Sequence, residues 1–293
     1  FAAKPGALAK AKSAFQSGKE PEVSAVNKII GEANKYMKAT PESVMDKTKT
    51  PPSGSKHDYM SIAPYFWPDP SKPNGMPYMR QDGKVNPESK NEENTDHIRL
   101  SRTIDRIETL SLAFYFTRDR KYADQAAKFI KVWFLNPETQ MNPNLNFAQA
   151  VAGKSEGRAE GILDARRMGL VLDSSNLISN TGDFTEANQK ALIQWMTTYY
   201  EWLMKSPIGK AERAAPNNHG TWFDVQAAHL ALALGKKEDA KKIVDSARTK
   251  RINTQIESDG KQPLELARTA SFSYSCMNLE AFFKLANLIM HNF

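Results

Sequence analysis

Apolar residues recur along most of this chain at helical spacing. Over residues 22–38, Val23, Val26, Ile29, Ile30, Ala33 and Met37 fall close to the i, i+3, i+4, i+7 pattern of one buried face. Residues 96–117 repeat it with Ile98, Leu100, Ile104, Ile107, Leu110, Leu112 and Phe114. A third helix is predicted from Tyr122 to Phe134, with Ala123, Ala126, Ala127, Ile130 and Trp133 turned inward. Asp183-Phe184-Thr185-Glu186 has the form of a capping box, opening a helix that carries Leu192, Trp195, Met196 and Tyr199. Thr221–Leu234 reads as a further helix, with Gly235 suited to the left-handed position that follows it. Residues 237–249 and 267–290 complete the set. No alternation of Val, Ile and Thr marks a core sheet, so the expected fold class is all-α.

Two long polar stretches interrupt the helices. Residues 40–94 are rich in Pro, Gly, Ser and Asn and hold an aromatic cluster of Tyr59, Tyr65, Phe66, Trp67 and Tyr78; residues 135–153 carry Asn142, Asn144, Asn146 and Gln149. Loops of this length inside a compact domain are usually functional or disordered, and the aromatic content argues against disorder in the first. Paired helices with such loops at one end suggest an α/α toroid with a cleft, or a helical-repeat scaffold. No period of 30–50 residues recurs, which weakens the scaffold. A single toroid domain over residues 1–293 is expected. Phe282–Met290 is strongly apolar and runs to Phe293 without a capping signal, so the final helices of the ring are expected to be missing, leaving an incomplete barrel.

Composition narrows the partners. About a quarter of the residues are charged and 40% are hydrophobic, which is ordinary for a globular chain. No apolar run approaches the roughly 20 residues that span a bilayer, so no membrane partner is expected. Phe1-Ala2-Ala3-Lys4-Pro5 lacks the apolar core of a signal peptide, but removal of one would leave such a start. A periplasmic or secreted location is therefore expected. The net charge of +7 suits an anionic partner, for which nucleic acid and acidic polysaccharide both qualify on charge alone. The pairs Lys236-Lys237 and Lys241-Lys242 read as solvated helix faces. The lone Cys276 excludes an internal disulfide and a cysteine cage, and its apolar surroundings predict a buried position. No His, Asp or Glu pair has metal-ligand spacing, and neither a phosphate loop nor a Gly-x-Ser-x-Gly elbow occurs; no metal and no cofactor is expected.

Two segments carry candidate chemistry. Pro216-Asn217-Asn218-His219-Gly220-Thr221-Trp222 sits just before a helix, where donors point outward and anions are favoured. Its asparagines would equally serve as caps. In Leu266–Tyr274, Arg268 interrupts an apolar or small-residue stretch, and Tyr274 follows it by six residues, just under two helical turns. Both could face one cleft if the backbone bends; alternatively Arg268 pairs with Glu265 and Tyr274 packs in the core. Taken together these groups suit β-elimination of a 4-linked uronate. The C5 proton is poorly acidic beside an anionic carboxylate, so donors such as Asn218, His219 and Arg268 must stabilise the second negative charge. A base must take the proton and an acid must protonate the leaving O4. A tyrosine does both if neighbouring positive charge lowers its pKa from about 10.

Asn218-His219-Gly220-Thr221-Trp222 followed by Arg268 and Tyr274, with His57-Asp58-Tyr59, Tyr65-Phe66-Trp67-Pro68-Asp69-Pro70 and Gly157-Arg158-Ala159-Glu160-Gly161 upstream, resembles the alginate lyase superfamily of α/α-toroid enzymes. The resemblance covers roughly residues 50–290. Polysaccharide lyase family 5 has a similar Asn-His pair but one more residue between its Arg and Tyr. The spacing of six and the aromatic loop are more similar to polysaccharide lyase family 38, which includes alginate and glucuronan lyases. The resemblance implies that Asn218 and Arg268 neutralise the substrate carboxylate. It implies Tyr274 as acid, and as base too for mannuronate or glucuronate, with His219 as base for guluronate. The implied partner is an anionic polysaccharide rather than nucleic acid, and the implied state a monomer.

Candidate substrate-binding residues are Tyr59 and Trp67, as sugar platforms or loop anchors; Gln149, for sugar hydroxyls or as a cap; and Arg99 and Arg158, for a neighbouring uronate. Asn217 and Trp222 flank the motif. His229 reads as a packing histidine. Two rivals stay open. An inverting glycoside hydrolase on a similar toroid would need two carboxylates across the cleft, with Asp58, Asp96, Glu156 and Glu160 available. A non-catalytic helical-repeat glycan-binding protein would need none.

Overall fold

A computed structural model describes residues 6–292; the opening Phe1–Pro5 segment and Phe293 lie outside the described residues, as do the side chains of His291 and Asn292. The helices are α1 (Ala7–Gln16), α2 (Glu22–Tyr36), α3 (His97–Thr117), α4 (Arg120–Ile130), α5 (Gly169–Leu177), α6 (Glu186–Lys205), α7 (Pro207–Ala214), α8 (Asn218–Ala233) and α9 (Lys237–Ala247). Short turns α10 (Asn253–Gln255) and α11 (Pro263–Leu266) precede the long α12 (Ser271–Asn292). They pack as a curved succession of neighbours: α2 on α3, α3 on α4 and α5, α5 on α8, and α8 on α7, α9 and α12. One core runs through them, built on Leu100, Ile104, Ile107 and Leu110 of α3, Ala123, Ala126 and Ala127 of α4, and Leu192, Met196 and Tyr199 of α6.

The central element is α8, in which every residue from Gly220 to Ala231 is buried. A helix enclosed on all sides needs no amphipathic pattern, and its first turn is held rigidly. At its other end Gly235 takes φ +73°. Its N–H donates to the Leu232 carbonyl at 3.0 Å, and the Lys236 N–H donates to the Ala231 carbonyl at 2.8 Å, the paired closure expected of a glycine there.

Several boundaries differ from the sequence reading. The capping box of α6 is Thr185 with Asn188, not Asp183 with Glu186: the Asn188 N–H donates to the Thr185 hydroxyl at 3.3 Å, and the Thr185 N–H donates to the Asn188 side chain at 3.1 Å. α8 begins at Asn218, so the Asn-His motif is its first turn rather than the loop before it. The helix read over 267–290 starts later, at Ser271: residues 267–270 form the break after α11, and α12 then runs unbroken to Asn292. Cys276 is exposed rather than buried, because it lies on the outer side of α12.

The two long loops zip together through short strands. β1 (Met60–Ile62) pairs in parallel with β4 (Phe147–Ala150), while β2 (Phe66–Trp67) pairs antiparallel with β3 (Met79–Arg80). An ion pair anchors the first loop: the Lys47 ammonium lies 3.0 Å from Asp96, with neither side chain exposed. Lys47 also donates to the carbonyls of Val44 and Lys56, at 2.6 and 2.7 Å. Burial pushes the Asp96 carboxyl up to about 6 even against the nearby ammonium. Its folded pKa is thus above the unfolded value near 3.9, so its share of stability declines as pH rises from about 4 to 6. Lys47→Met, which strands a buried carboxylate, is expected to cost about 3 kcal/mol at neutral pH and less at pH ~5, where Asp96 can take a proton. Urea unfolding at the two pH values checks this, and equal losses at both would show that Asp96 is not the group left uncompensated.

Candidate active site

A cleft of about 730 Å³ is walled by both long loops, α7, the first turn of α8 and the start of α12. Asn217, Asn218, His219, Arg268 and Tyr274 all line it, with Gln149 and Arg158. Asn217 caps α8, accepting the His219 N–H on its side chain at 3.3 Å. Asn218 is almost fully buried; its backbone N–H and its amide both donate to the Glu265 carboxylate, at 2.7 and 2.8 Å. The Asn218 amide has a second hydrogen, and no further partner of Nδ2 is found among the described residues.

The His219 ring is set by Glu212 of α7, whose carboxylate lies 2.7 Å from Nδ1. Glu212 is 1% exposed, and burial raises its pKa against the pull of His219. With Nδ1 held there, Nε2 is the ring nitrogen left to reach the cleft.

Arg268 sits in the break between α11 and α12, which resolves how it and Tyr274 share a site. Its Nη2 donates to the Tyr274 hydroxyl at 2.8 Å, and its guanidinium carbon stands 3.8 Å from the centre of the Tyr274 ring. The Tyr274 hydroxyl in turn donates to the Tyr65 hydroxyl at 2.7 Å. The partner of Arg268 is Asp82, not Glu265. Nε and Nη2 reach the Asp82 carboxylate at 3.0 and 2.7 Å, leaving Nη1 without a protein partner among the described residues. Asp82 also accepts from the Thr269 N–H at 3.3 Å. The loop comes this close because Gly83 follows: at φ +75°, any Cβ there would overlap the Thr269 hydroxyl. Arg268 holds the Asp82 carboxyl far below the usual carboxylate range.

The expectation that neighbouring positive charge lowers the Tyr274 pKa is overturned. Burial raises it well above 10, the contact with Tyr65 adds to that, and Arg268 opposes it only in part. Arg268 is already matched by Asp82, so the field it lends the phenol is weakened.

Four of the substrate-binding candidates fall elsewhere. Tyr59 is fully buried and donates to Asp164 at 3.0 Å, so no sugar can stack on it. Trp67 is not part of the cleft wall; its indole N–H donates to the Lys84 carbonyl at 2.9 Å and pins the hairpin. Arg99 is buried beside Glu42 and donates to the Thr95 carbonyl at 3.1 Å, within a cluster with Arg102 and Arg106 that ties the first loop to α3. Trp222 is buried and faces a different, smaller cavity. Gln149 and Arg158 do reach the cleft. Gln149 holds φ +50°, a strained value for a residue with a side chain, and its amide links Asp164 at 3.1 Å to Arg158 at 3.1 Å. His229 packs as expected, 2.9 Å from Asp173. Of the carboxylates open to a hydrolase, Asp58 and Asp96 are buried in structural contacts, with the Asn142 amide and Lys47. The site residues that sequence reasoning missed are Tyr65, Asp82 and Glu212; only the aromatic cluster hinted at the first.

Among the described residues no three His, Cys, Asp or Glu side chains converge as a metal site, and no helix is long and apolar enough to cross a membrane. An α/α toroid with a phenol, an imidazole and a guanidinium lining one cleft fits the class of polysaccharide lyases. A sequence model of the alginate lyase family matches residues 43–292, and the chain belongs to that family. Its structure is similar to the crystal structure of an alginate lyase from Bacteroides ovatus, with 42% identity and a TM-score of 0.91, covering 97% of this chain and 74% of that one. It also shares its fold with alginate lyase A1-III complexed with a tetrasaccharide, at 14% identity and a TM-score of 0.52, covering 97% and 68% of the two chains. A comparison with curated proteins finds no match. The chain is thus a lyase, of a family that cleaves polysaccharide by metal-independent β-elimination.

Proposed function

We propose that this enzyme cleaves 4-linked uronate polymers, alginate foremost, with Asn218, His219, Arg268 and Tyr274 as its reacting set. The observation that carries this reading is the contact of the Tyr274 hydroxyl with Arg268 in the same cleft that Asn218 and His219 line. The unengaged Nη1 of Arg268 and the free amide hydrogen of Asn218 are donors for the substrate carboxylate, where charge grows as the C5 proton leaves. Tyr274 rests as a neutral phenol, the form an acid needs to protonate O4. For mannuronate or glucuronate, Tyr274 must first become phenolate to serve as base. For guluronate, His219 takes the proton through Nε2, with Glu212 holding the ring. Gln149 and Arg158 border the cleft and bind flanking sugars.

The test is incubation with poly-mannuronate, poly-guluronate and glucuronan, following the ultraviolet absorbance of the C4–C5 double bond. New reducing ends without that absorbance would mean hydrolysis. His219→Ala is expected to lower guluronate cleavage by about 10²-fold while mannuronate cleavage stays within a few-fold. An equal loss on both polymers would remove the division of labour between base residues.

A further inference from the structure

The cleft takes a polyanion, and four arginines line it: Arg80, Arg158, Arg166 and Arg268. Three of them already face carboxylates. Arg80 and Arg268 share Asp82, at 2.8 and 2.7 Å, and Arg158 lies 3.5 Å from Glu160. Arg166 forms no ion pair among the described residues. Its one hydrogen bond is from Nη1 to the Leu163 carbonyl at 3.2 Å, and its guanidinium carbon lies 5.5 Å from the centre of the Trp222 ring. Its neighbour Arg167 turns away to Asp105 and Glu108. Burial lowers the Arg166 pKa; Glu280 and, more weakly, Asp164 act against this from a distance without pairing, and Arg167 adds to it.

A half-buried guanidinium without a counterion is a costly arrangement in a resting protein. It becomes favourable when a carboxylate arrives, because the planar fork of arginine donates two parallel hydrogen bonds to it. Arg166 also stands at a junction, lining both the main cleft and the cavity of about 240 Å³ beside Trp222. The remaining lysine of the cleft wall, Lys90, is exposed and solvated. We propose that Arg166 binds the carboxylate of a uronate adjoining the one being cleaved, and so sets the shortest chain the enzyme handles well. This rests on the polyuronate reading above.

The experiment compares wild type, Arg166→Gln and Arg166→Lys on polyuronate and on a ladder of short oligouronates. On the polymer, Arg166→Gln is expected to raise KM about tenfold, with kcat within about twofold of wild type. Arg166→Lys, which keeps the charge and loses the fork, should fall between them. On the shortest chains cleaved, which leave this subsite empty, the variants should match wild type, and the salt dependence of KM should flatten in Arg166→Gln. An unchanged KM on the polymer overturns the proposal. So does a loss of kcat that is the same at every chain length and tracks a fall in melting temperature, since that marks a purely structural residue. If wild type itself yields no unsaturated product from any polyuronate, the substrate reading fails, and the role of Arg166 that rests on it falls with it.

Discussion

Tyr274→Phe is expected to lower kcat on poly-mannuronate by about 10³-fold while leaving substrate binding close to wild type. The substitution removes one hydroxyl and keeps the ring that Arg268 covers at 3.8 Å, so packing survives and the proton path does not. The hydroxyl has two partners in the resting enzyme, Arg268 and Tyr65, and both lose it in the variant. Because burial raises the pKa of this phenol, the phenolate is scarce at neutral pH. On the proposed mechanism mannuronate cleavage draws on that phenolate as base, so it should climb with pH in the wild-type enzyme, and the climb should vanish in the variant. Stopped assays of the unsaturated product against pH, with binding measured separately by calorimetry, check both parts. Turnover near wild type in Tyr274→Phe would remove the phenol from the mechanism.

Arg268→Lys should reduce kcat by about 10²-fold on every uronate polymer. The guanidinium pairs with Asp82 and donates to Tyr274, while Nη1, without a protein partner among the described residues, is the proposed donor to substrate. A lysine ammonium is a compact charge without the planar fork, so it cannot hold Asp82 through two nitrogens while reaching the phenol. The companion variant Asp82→Asn keeps Arg268 but loosens its setting, and a smaller loss of about tenfold is expected there, again in kcat. If Arg268→Lys raised KM alone and left kcat untouched, the arginine would be binding the ground state and not the developing charge.

The helical skeleton is legible in the sequence because apolar spacing of 3.6 residues is a local property. α2, α3 and α9 start within a residue or two of the expected positions, and Gly235 closes α8 in the expected way. α5 and α7 leave no such trace. α5 is buried around much of its circumference, with Asp173, Ser174 and Ser175 enclosed alongside Val171 and Leu172, so it shows no contrast between faces. At the site, Asn218, His219, Arg268 and Tyr274 can be named as a set from the chemistry of C5 proton removal and from family resemblance. Their supports cannot. Asp82 reaches Arg268 across 186 residues, and no spacing rule links a loop aspartate to so distant an arginine. Tyr59 and Tyr65 look alike in an aperiodic loop, yet one is sealed in the core and the other lines the cleft. Arg99 and Arg166 differ likewise: charge is visible in a sequence, whereas the carboxylate that cancels it, Glu42 in the first case, is not.

The contact between Asp82 and Arg268 makes the first long loop more than a wall. One carboxylate on that loop sets the orientation and residual charge of the arginine, while Tyr65 on the same loop touches the phenol. Shape and electrostatics of this enzyme are therefore inherited together. Transplanting the loop from another lyase to change which polymer fits would also reset the arginine and the tyrosine, so a graft that leaves out Asp82 and Gly83 would loosen the setting of Arg268 as it reshapes the cleft wall.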